Sequence, residues 1–294
     1  MHHSSPKMSS TLPPTATILV SCPDRRGLVA TLSGFIHANN GNIIHADHHT
    51  DRVQGVFLTR LEWSMDGFEL ERKAIEYEFS KLASELEASW QLHFSDSIPR
   101  LAIWVSKQEH CLLDLLWRHQ SGELRATIPL IISNHRKLEP IAKQFEIDFH
   151  YIPIDKTNRG DRERQQLELL HKYDIDLVVL AKYMQILSPA FLAKFSRVIN
   201  IHHSFLPAFP GAHPYRRAYQ RGVKIVGATA HYVTEELDGG PIIDQEVIRV
   251  SHRDSEIDLI RKGKDVERIV LSKAVWLHLQ NRVLEYNNRT VVFD

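Results

Sequence analysis

The chain has 294 residues, 43% of them hydrophobic and 24% charged, and its 36 basic side chains are balanced by 36 acidic ones. That length suits two compact domains and that composition excludes extensive disorder, while zero net charge argues against a nucleic-acid coat or a membrane-surface protein. No apolar run approaches the roughly 20 residues that cross a bilayer.

The opening segment, residues 1–13, lacks the apolar stretch of a signal peptide and reads as a flexible tail on a cytoplasmic protein. Cys22 and Cys111 cannot make a disulfide framework and lack metal-site spacing, so both read as reduced thiols. From 14 to 96 the pattern predicts strand, helix, strand, strand, helix, strand. ATILVSC is a β-rich run, and the next stretch carries Leu28, Leu32, Phe35 and Ile36 at helical spacing before an Asn39-Asn40-Gly41 stop. NIIHADHHTD and GVFLTRLEW flank a hairpin at Arg52-Val53-Gln54. Residues 68–90 read as a long, charged amphipathic helix, and WQLHFSD as the closing strand. This βαββαβ order is ferredoxin-like.

The PDRRGLV turn after the first strand resembles that of ACT domains. The resemblance implies a regulatory module in which Asp24, Gly27 and Leu28 contact a small amino-acid effector, such as glycine or methionine, between paired domains. It therefore implies a homo-oligomer. A dimerisation module without a ligand is the other reading.

Ser95 to Arg100 is polar and contains Pro99, which marks a boundary. From 100 to 294 the rhythm changes. LAIWVS, IPLIIS, FHYIPI and LVVLA are strongly apolar runs alternating with the helical patterns HCLLDLLWRHQ, LEPIAKQFE and RERQQLELLHKY. That alternation predicts a doubly wound, mostly parallel sheet of Rossmann type, with its site beyond the carboxyl ends of the strands. A long helix over 257–286 and a short TVVF strand close the chain.

Two places beyond strand ends are dense in reactive groups: VINIHHSFLPAFPGAHP, and GATAHYVTEELDGGPII with its acidic, glycine-rich turn. In a strand, residues two apart share a face, so Asn200 and His202 point together while His203 points elsewhere. An amide donor, an imidazole and the Asp238 carboxylate meet the needs of attack on an amide-like carbonyl: donors for the growing oxyanion, a base for the nucleophile, and an acid for the leaving nitrogen. No G-x-S-x-G elbow suggests a covalent route. Eighteen histidines invite a metal hypothesis, but H-E-x-x-H is absent and adjacent strand histidines face apart, so no metal site is expected. His45, His48 and His49 with Asp47 fall in the amino-terminal domain.

NIHHSFLPAFPG, the Ala218–Gly222 spacing, GATAHYV and D-x-G-x-I-I together resemble the signature of the folate-dependent formyltransferases, which act on glycinamide ribonucleotide or methionyl-tRNA. The resemblance implies that Asn200, His202 and Asp238 are catalytic. It also implies a backbone-lined pterin pocket onto which Gln185, Leu187, Val233, Thr234, Glu235 and Leu237 fall, with His203 beside it. Departures from the transferase pattern argue against a phosphorylated sugar amine or tRNA as acceptor. Lys107, Gln108, Glu109 and His110 replace a glycine-rich phosphate loop, which places an acidic side chain where phosphate would dock. His203 stands where transferases show proline. No nucleic-acid-binding extension is legible after the last strands. The amino-terminal ACT-like domain, KQEHCLLDLLWRHQSGEL, LAKYMQILSP and His203 resemble the hydrolytic members of this family, and that resemblance implies hydrolysis of 10-formyltetrahydrofolate to formate and tetrahydrofolate, without a cofactor, supplying one-carbon metabolism and purine biosynthesis. Asp238 would activate water while His202 and Asn200 stabilise the tetrahedral intermediate. Formyl transfer to a small amine and a silent amino-acid sensor are the alternatives.

Overall fold

A computed structural model describes residues 13–155, 157–208 and 214–293. Nearly all of the expected tail, and Phe209 to His213 of the proline-rich loop, lie outside the described residues. The chain divides into two compact units between Ser97 and Ile98.

In the first unit, β1 (Thr15–Pro23), α1 (Leu28–Ala38), β2 (Asn42–Asp51), β3 (Val56–Ser64), α2 (Arg72–Glu85) and β4 (Ser89–Phe94) form an antiparallel sheet in the order β2-β3-β1-β4. Ile18 and Val20 pack with Leu28, Leu32, Ile36, Ile75 and Phe79 in one core. The second helix is shorter than its apolar periodicity predicts. Phe68 and Leu70 do pack on the core, but from an irregular approach to Arg72.

The second unit runs β5 (Arg100–Val105), α3 (His110–Gln120), β6 (Thr127–Ser133), α4 (Glu139–Gln144), β7 (Asp148–Tyr151), α5 (Arg159–Lys172), β8 (Leu177–Leu180), α6 (Pro189–Leu192), β9 (Val198–His202), α7 (Pro214–Arg221), β10 (Ile225–Tyr232), β11 (Ile242–Arg249), α8 (Glu256–Leu279), β12 (Val283–Tyr286) and β13 (Arg289–Val292). Seven strands form one sheet in the order β11-β10-β9-β8-β5-β6-β7, parallel from β9 to β7 with antiparallel pairs at β10. Burial on both faces explains the continuous apolar runs. Leu101, Ile103 and Val105 enter one core cluster, whereas Ala102 and Trp104 enter the other. The chain winds outward from β5 in both directions, so the β5–β8 junction is the switch point at which such sheets bind ligands.

The closing helix ends at Leu279, not at Tyr286 as its apolar pattern suggested. Val283 and Leu284 instead belong to a strand that turns through Asn287 and Asn288, both at positive φ (45° and 57°), into β13. Asparagine tolerates that left-handed geometry, which favours a tight hairpin over a continued helix. Among the described residues no helix is long and apolar enough to cross a membrane.

Candidate active site

On β9, Ile199 and Ile201 enter the core, which leaves Asn200 and His202 on the opposite face. The antiparallel β10 pairs His231 directly against Asn200. His231 Nδ1–H donates to its neighbour's carbonyl, Tyr232 O, at 2.8 Å, so Nε2 is left to accept from the Asn200 amide at 3.2 Å. The carboxylate comes from the turn after β10. Asp238 Oδ1 lies 3.2 Å from His202 Nδ1 and 3.9 Å from His231 Nε2. Asn200, His231, Asp238 and His202 therefore form one connected set around a single small space.

The glycines behind Asp238 shape that turn. A side chain at Gly240 would stand 1.9 Å from the Tyr232 carbonyl oxygen, so only glycine lets the backbone close there. Tyr232 N–H donates to Pro241 O at 2.9 Å, and Asn288 of the final hairpin donates to Gly239 O at 2.9 Å. Asp238 itself sits at φ +56°, a conformation that costs a non-glycine residue about 1 kcal/mol or more.

Burial pushes the Asp238 carboxyl up, but its hydrogen bond to His202 and the charges of His202, His231 and His203 outweigh burial and hold it below the usual carboxylate range. It is ionised at neutral pH. Burial pushes His231 down despite its bond to Tyr232. Burial, reinforced by Lys182 and His202, holds His203 down to about 4. With Asp238 ionised, His202 donates through Nδ1, and its buried Nε2 has no hydrogen-bond partner among the described residues.

A cavity of about 250 Å³ opens here, lined by Asn200, His202 and Asp238. Gln185, Leu187, Val233, Thr234, Glu235, Leu237 and His203 line it too, so the structure brings together every residue expected at the catalytic and folate positions. Met184, Ile186 and Leu237 are more than half exposed around it, giving an apolar rim to a polar floor. His203 departs from its expected orientation. The strand ends at His202, so alternation no longer applies, and the two imidazoles stack with centroids 4.9 Å apart. In the other unit, Asp24 and Gly27 lie exposed at the β1–α1 turn, Gly27 at φ +89°, whereas the Leu28 side chain is buried in the core and cannot face an effector. His45, His48 and His49 lie along β2.

Sequence reasoning passed over two features. His231 is one, weighed only among histidines that could hold a metal and not as a partner of Asn200; its signal was the histidine of GATAHYV in cross-strand register with Asn200. The other is a buried cluster around Glu267 of α8, which gathers Lys182, Tyr215 and His110 from three other elements. Only its histidine–cysteine–carboxylate part, His110, Cys111 and Glu267, is compact enough for a metal among the described residues, and Lys182 already neutralises Glu267. A second cavity of about 560 Å³ adjoins the first, sharing Lys182, Met184, Gln185 and His203. Its wall carries Lys107, Arg216 and Lys264. Glu109, expected to face a docking phosphate, is instead exposed with its carboxylate 3.9 Å from Lys137, because it stands at the start of α3 beyond the cavity wall.

Residues 99–275 match the formyl transferase family and residues 16–83 the ACT domain family. The formyltetrahydrofolate deformylase of Synechocystis sp. is 64% identical over 279 residues, covering 95% of this chain and 98% of that protein. The Bacillus subtilis deformylase is 46% identical over 94% of this chain and 93% of its own. The crystal structure of a Pseudomonas syringae pv. tomato formyltetrahydrofolate deformylase superposes with a TM-score of 0.94 at 42% identity, over 97% of this chain and 96% of that one. Glycinamide ribonucleotide transformylase 1 from Symbiobacterium toebii shares only part of the fold, with a TM-score of 0.64 at 31% identity over 69% of this chain and 98% of its own. A relative that aligns from end to end, together with both domain matches, places this chain in the formyltetrahydrofolate deformylase family.

Proposed function

We propose that this protein hydrolyses 10-formyltetrahydrofolate to formate and tetrahydrofolate. The observation that carries the reading is the connected Asn200–His231–Asp238–His202 set on the floor of an apolar-rimmed cavity. A pterin lies against the rim, and the formyl carbon reaches the floor. Asp238 orients a water molecule and takes one proton as the oxygen attacks. The Asn200 amide is held by His231, so its direction is fixed before substrate arrives, as stabilisation of a developing oxyanion requires. With His202 protonated on both nitrogens, Asp238 holds Nδ1–H while Nε2–H meets the formyl oxygen and then passes its proton to N10 as the C–N bond breaks, and the proton that Asp238 took from water restores it. No cofactor enters these steps.

Formate release from the purified protein given 10-formyltetrahydrofolate and no acceptor tests the reading, and no release above the uncatalysed rate refutes it. Removing one oxyanion donor costs about a hundred- to a thousandfold in turnover. Asn200→Ala and Asp238→Ala should each lose that much, with folate binding within a few-fold.

The amino-terminal domain serves regulation on this reading. Asp24 and the open backbone at Gly27 take a small amino acid, glycine or methionine, between paired copies in a cytoplasmic homo-oligomer. Formate release measured with and without each amino acid, alongside the solution mass, tests this.

A further inference from the structure

The second cavity raises the question of why water should be the acceptor beside a space large enough for an amine. Lys182 stands where the two cavities meet. It follows β8 at φ +65°, a conformation unfavourable for any residue except glycine, and is 6% exposed. Its Nζ donates to Glu267 Oε1 at 3.2 Å. That same oxygen accepts the Tyr215 hydroxyl at 2.7 Å, and His110 Nε2 donates to Oε2 at 2.6 Å. Gly263, one turn before Glu267, makes the arrangement possible, because a side chain there would lie 2.2 Å from the Tyr215 ring. Burial pushes the Glu267 carboxyl up, but Lys182, His110 and Tyr215 outweigh it and hold it down to about 2. The carboxylate is thus permanently charged and fully engaged, and it fixes the ammonium in place.

We infer that Lys182, locked by Glu267, selects water over amines as the formyl acceptor. This rests on the hydrolytic reading above. The side chain lines both cavities where they meet, so it stands beside the path an amine takes from the second to the first. An attacking amine forms its N–C bond before it loses a proton, so its nitrogen turns cationic beside a fixed ammonium. Water gives its proton to Asp238 as it attacks and adds no net charge. Lys107, Arg216 and Lys264 outnumber Glu256, the carboxylate that lines the second cavity besides the paired Glu267, so the wall is positive on balance and opposes entry of protonated amines. Two like charges about 4 Å apart in a half-buried site disfavour each other, and because the Glu267 carboxylate 3.2 Å from the ammonium offsets part of that repulsion, the penalty is on the order of tenfold. Lys182 is a specificity-determining residue on this account and takes no part in bond making.

The two competing reactions balance as follows. In hydrolysis water forms the new C–O bond, the C–N10 bond breaks, N10 takes one proton, and formate is released with another. In transfer an amine R–NH2 forms the new C–N bond, the C–N10 bond breaks, and the proton shed by the amine goes to N10, giving R–NH–CHO.

Lys182→Gly suits the φ and opens the passage, and Lys182→Gly/Glu267→Gln avoids stranding the buried carboxylate. Each is incubated with 10-formyltetrahydrofolate and increasing glycinamide or hydroxylamine, and formate and formylated amine are both quantified. The unmodified protein and Lys182→Arg should yield formate alone at every amine concentration. At least one glycine variant should form the formylated amine in proportion to amine, raising the product ratio at least about tenfold over the unmodified protein. Folate-binding glycine variants that yield only formate, or neither product, overturn the inference. Absence of formate from the unmodified protein would overturn the hydrolytic reading instead.

Discussion

Gly240→Ala tests the placement of Asp238 without touching any reacting group. The new methyl carbon would begin 1.9 Å from the Tyr232 carbonyl oxygen, whereas real contacts of this kind stay at or beyond 3.0 Å, so something must move by about 1.1 Å. The carbonyl cannot yield easily, because it sits in the β10 ladder and accepts the His231 Nδ1–H bond. The turn must therefore open, carrying Asp238, two residues away, off its 3.2 Å contact with His202. A displacement of about 1 Å costs on the order of a hundredfold in rate, and overpacking adds about 1–3 kcal/mol of destabilisation. Gly239→Ala is the matched control. Its methyl would first meet the Cγ, Cδ and Oε2 atoms of Glu236, an exposed side chain free to swing away. Initial-rate formate assays should show kcat falling about a hundredfold for Gly240→Ala, with KM within a few-fold and the protein still folded at the assay temperature. Gly239→Ala should stay close to the unmodified protein. Gly240→Ala retaining a third of normal kcat, or the two variants losing activity equally, would refute the claim that this turn fixes the carboxylate.

Gly263→Ala normally stabilises a helix interior by up to about 1 kcal/mol. Here it should instead destabilise by about 1–3 kcal/mol, read as a lowered denaturation midpoint, because the methyl would occupy the seat of the Tyr215 ring. His203 gives a pH signature. Its folded-state value is depressed to about 4 from 6.5, so the folded protein resists a proton that the unfolded chain accepts. Its contribution is complete above 6.5 and is lost as pH falls toward 4. Denaturant unfolding at pH 7 and pH 5 should show His203→Asn losing about 1–2 kcal/mol less stability over that interval than the unmodified protein. Identical losses would remove the argument that His203 is held neutral.

Much of the fold was legible because patterning and position agreed. The strands at Asn42–Asp51 and Val198–His202 fall where the sequence predicted, the first as one arm of a hairpin and the second by an apolar run ending in polar groups. Errors arose where apolar periodicity outlasted the element. Phe68 and Leu70 pack on the core without being helical, and Val283 and Leu284 pack as strand residues. Periodicity reports burial, and burial alone does not separate a helix from a short strand. The asparagine pair at 287–288 was the local signal that a hairpin, not a helix, closes the chain. β11 was missed for a related reason: only Ile243 of its eight residues is buried, so no run of apolar side chains announced it.

The site divides along the same physical line. Asn200, His202 and Asp238 were readable because strand geometry and a resemblance both bear on short stretches of chain. The Lys182–Glu267 pair was not, because its partners stand 85 residues apart and their meeting depends on α8 packing against β9, β10 and β11. Nothing local distinguishes Glu267 from the surface acids of the same helix; only its 1% exposure does. A buried ion pair is weak evidence for stability, since desolvation cancels much of the attraction. Its retention beside a reactive centre is better explained by what the fixed charge does to a neighbouring nucleophile. The groups proposed to make and break bonds were thus legible from short motifs, whereas the pair proposed to choose between acceptors became visible only once the helices were in place.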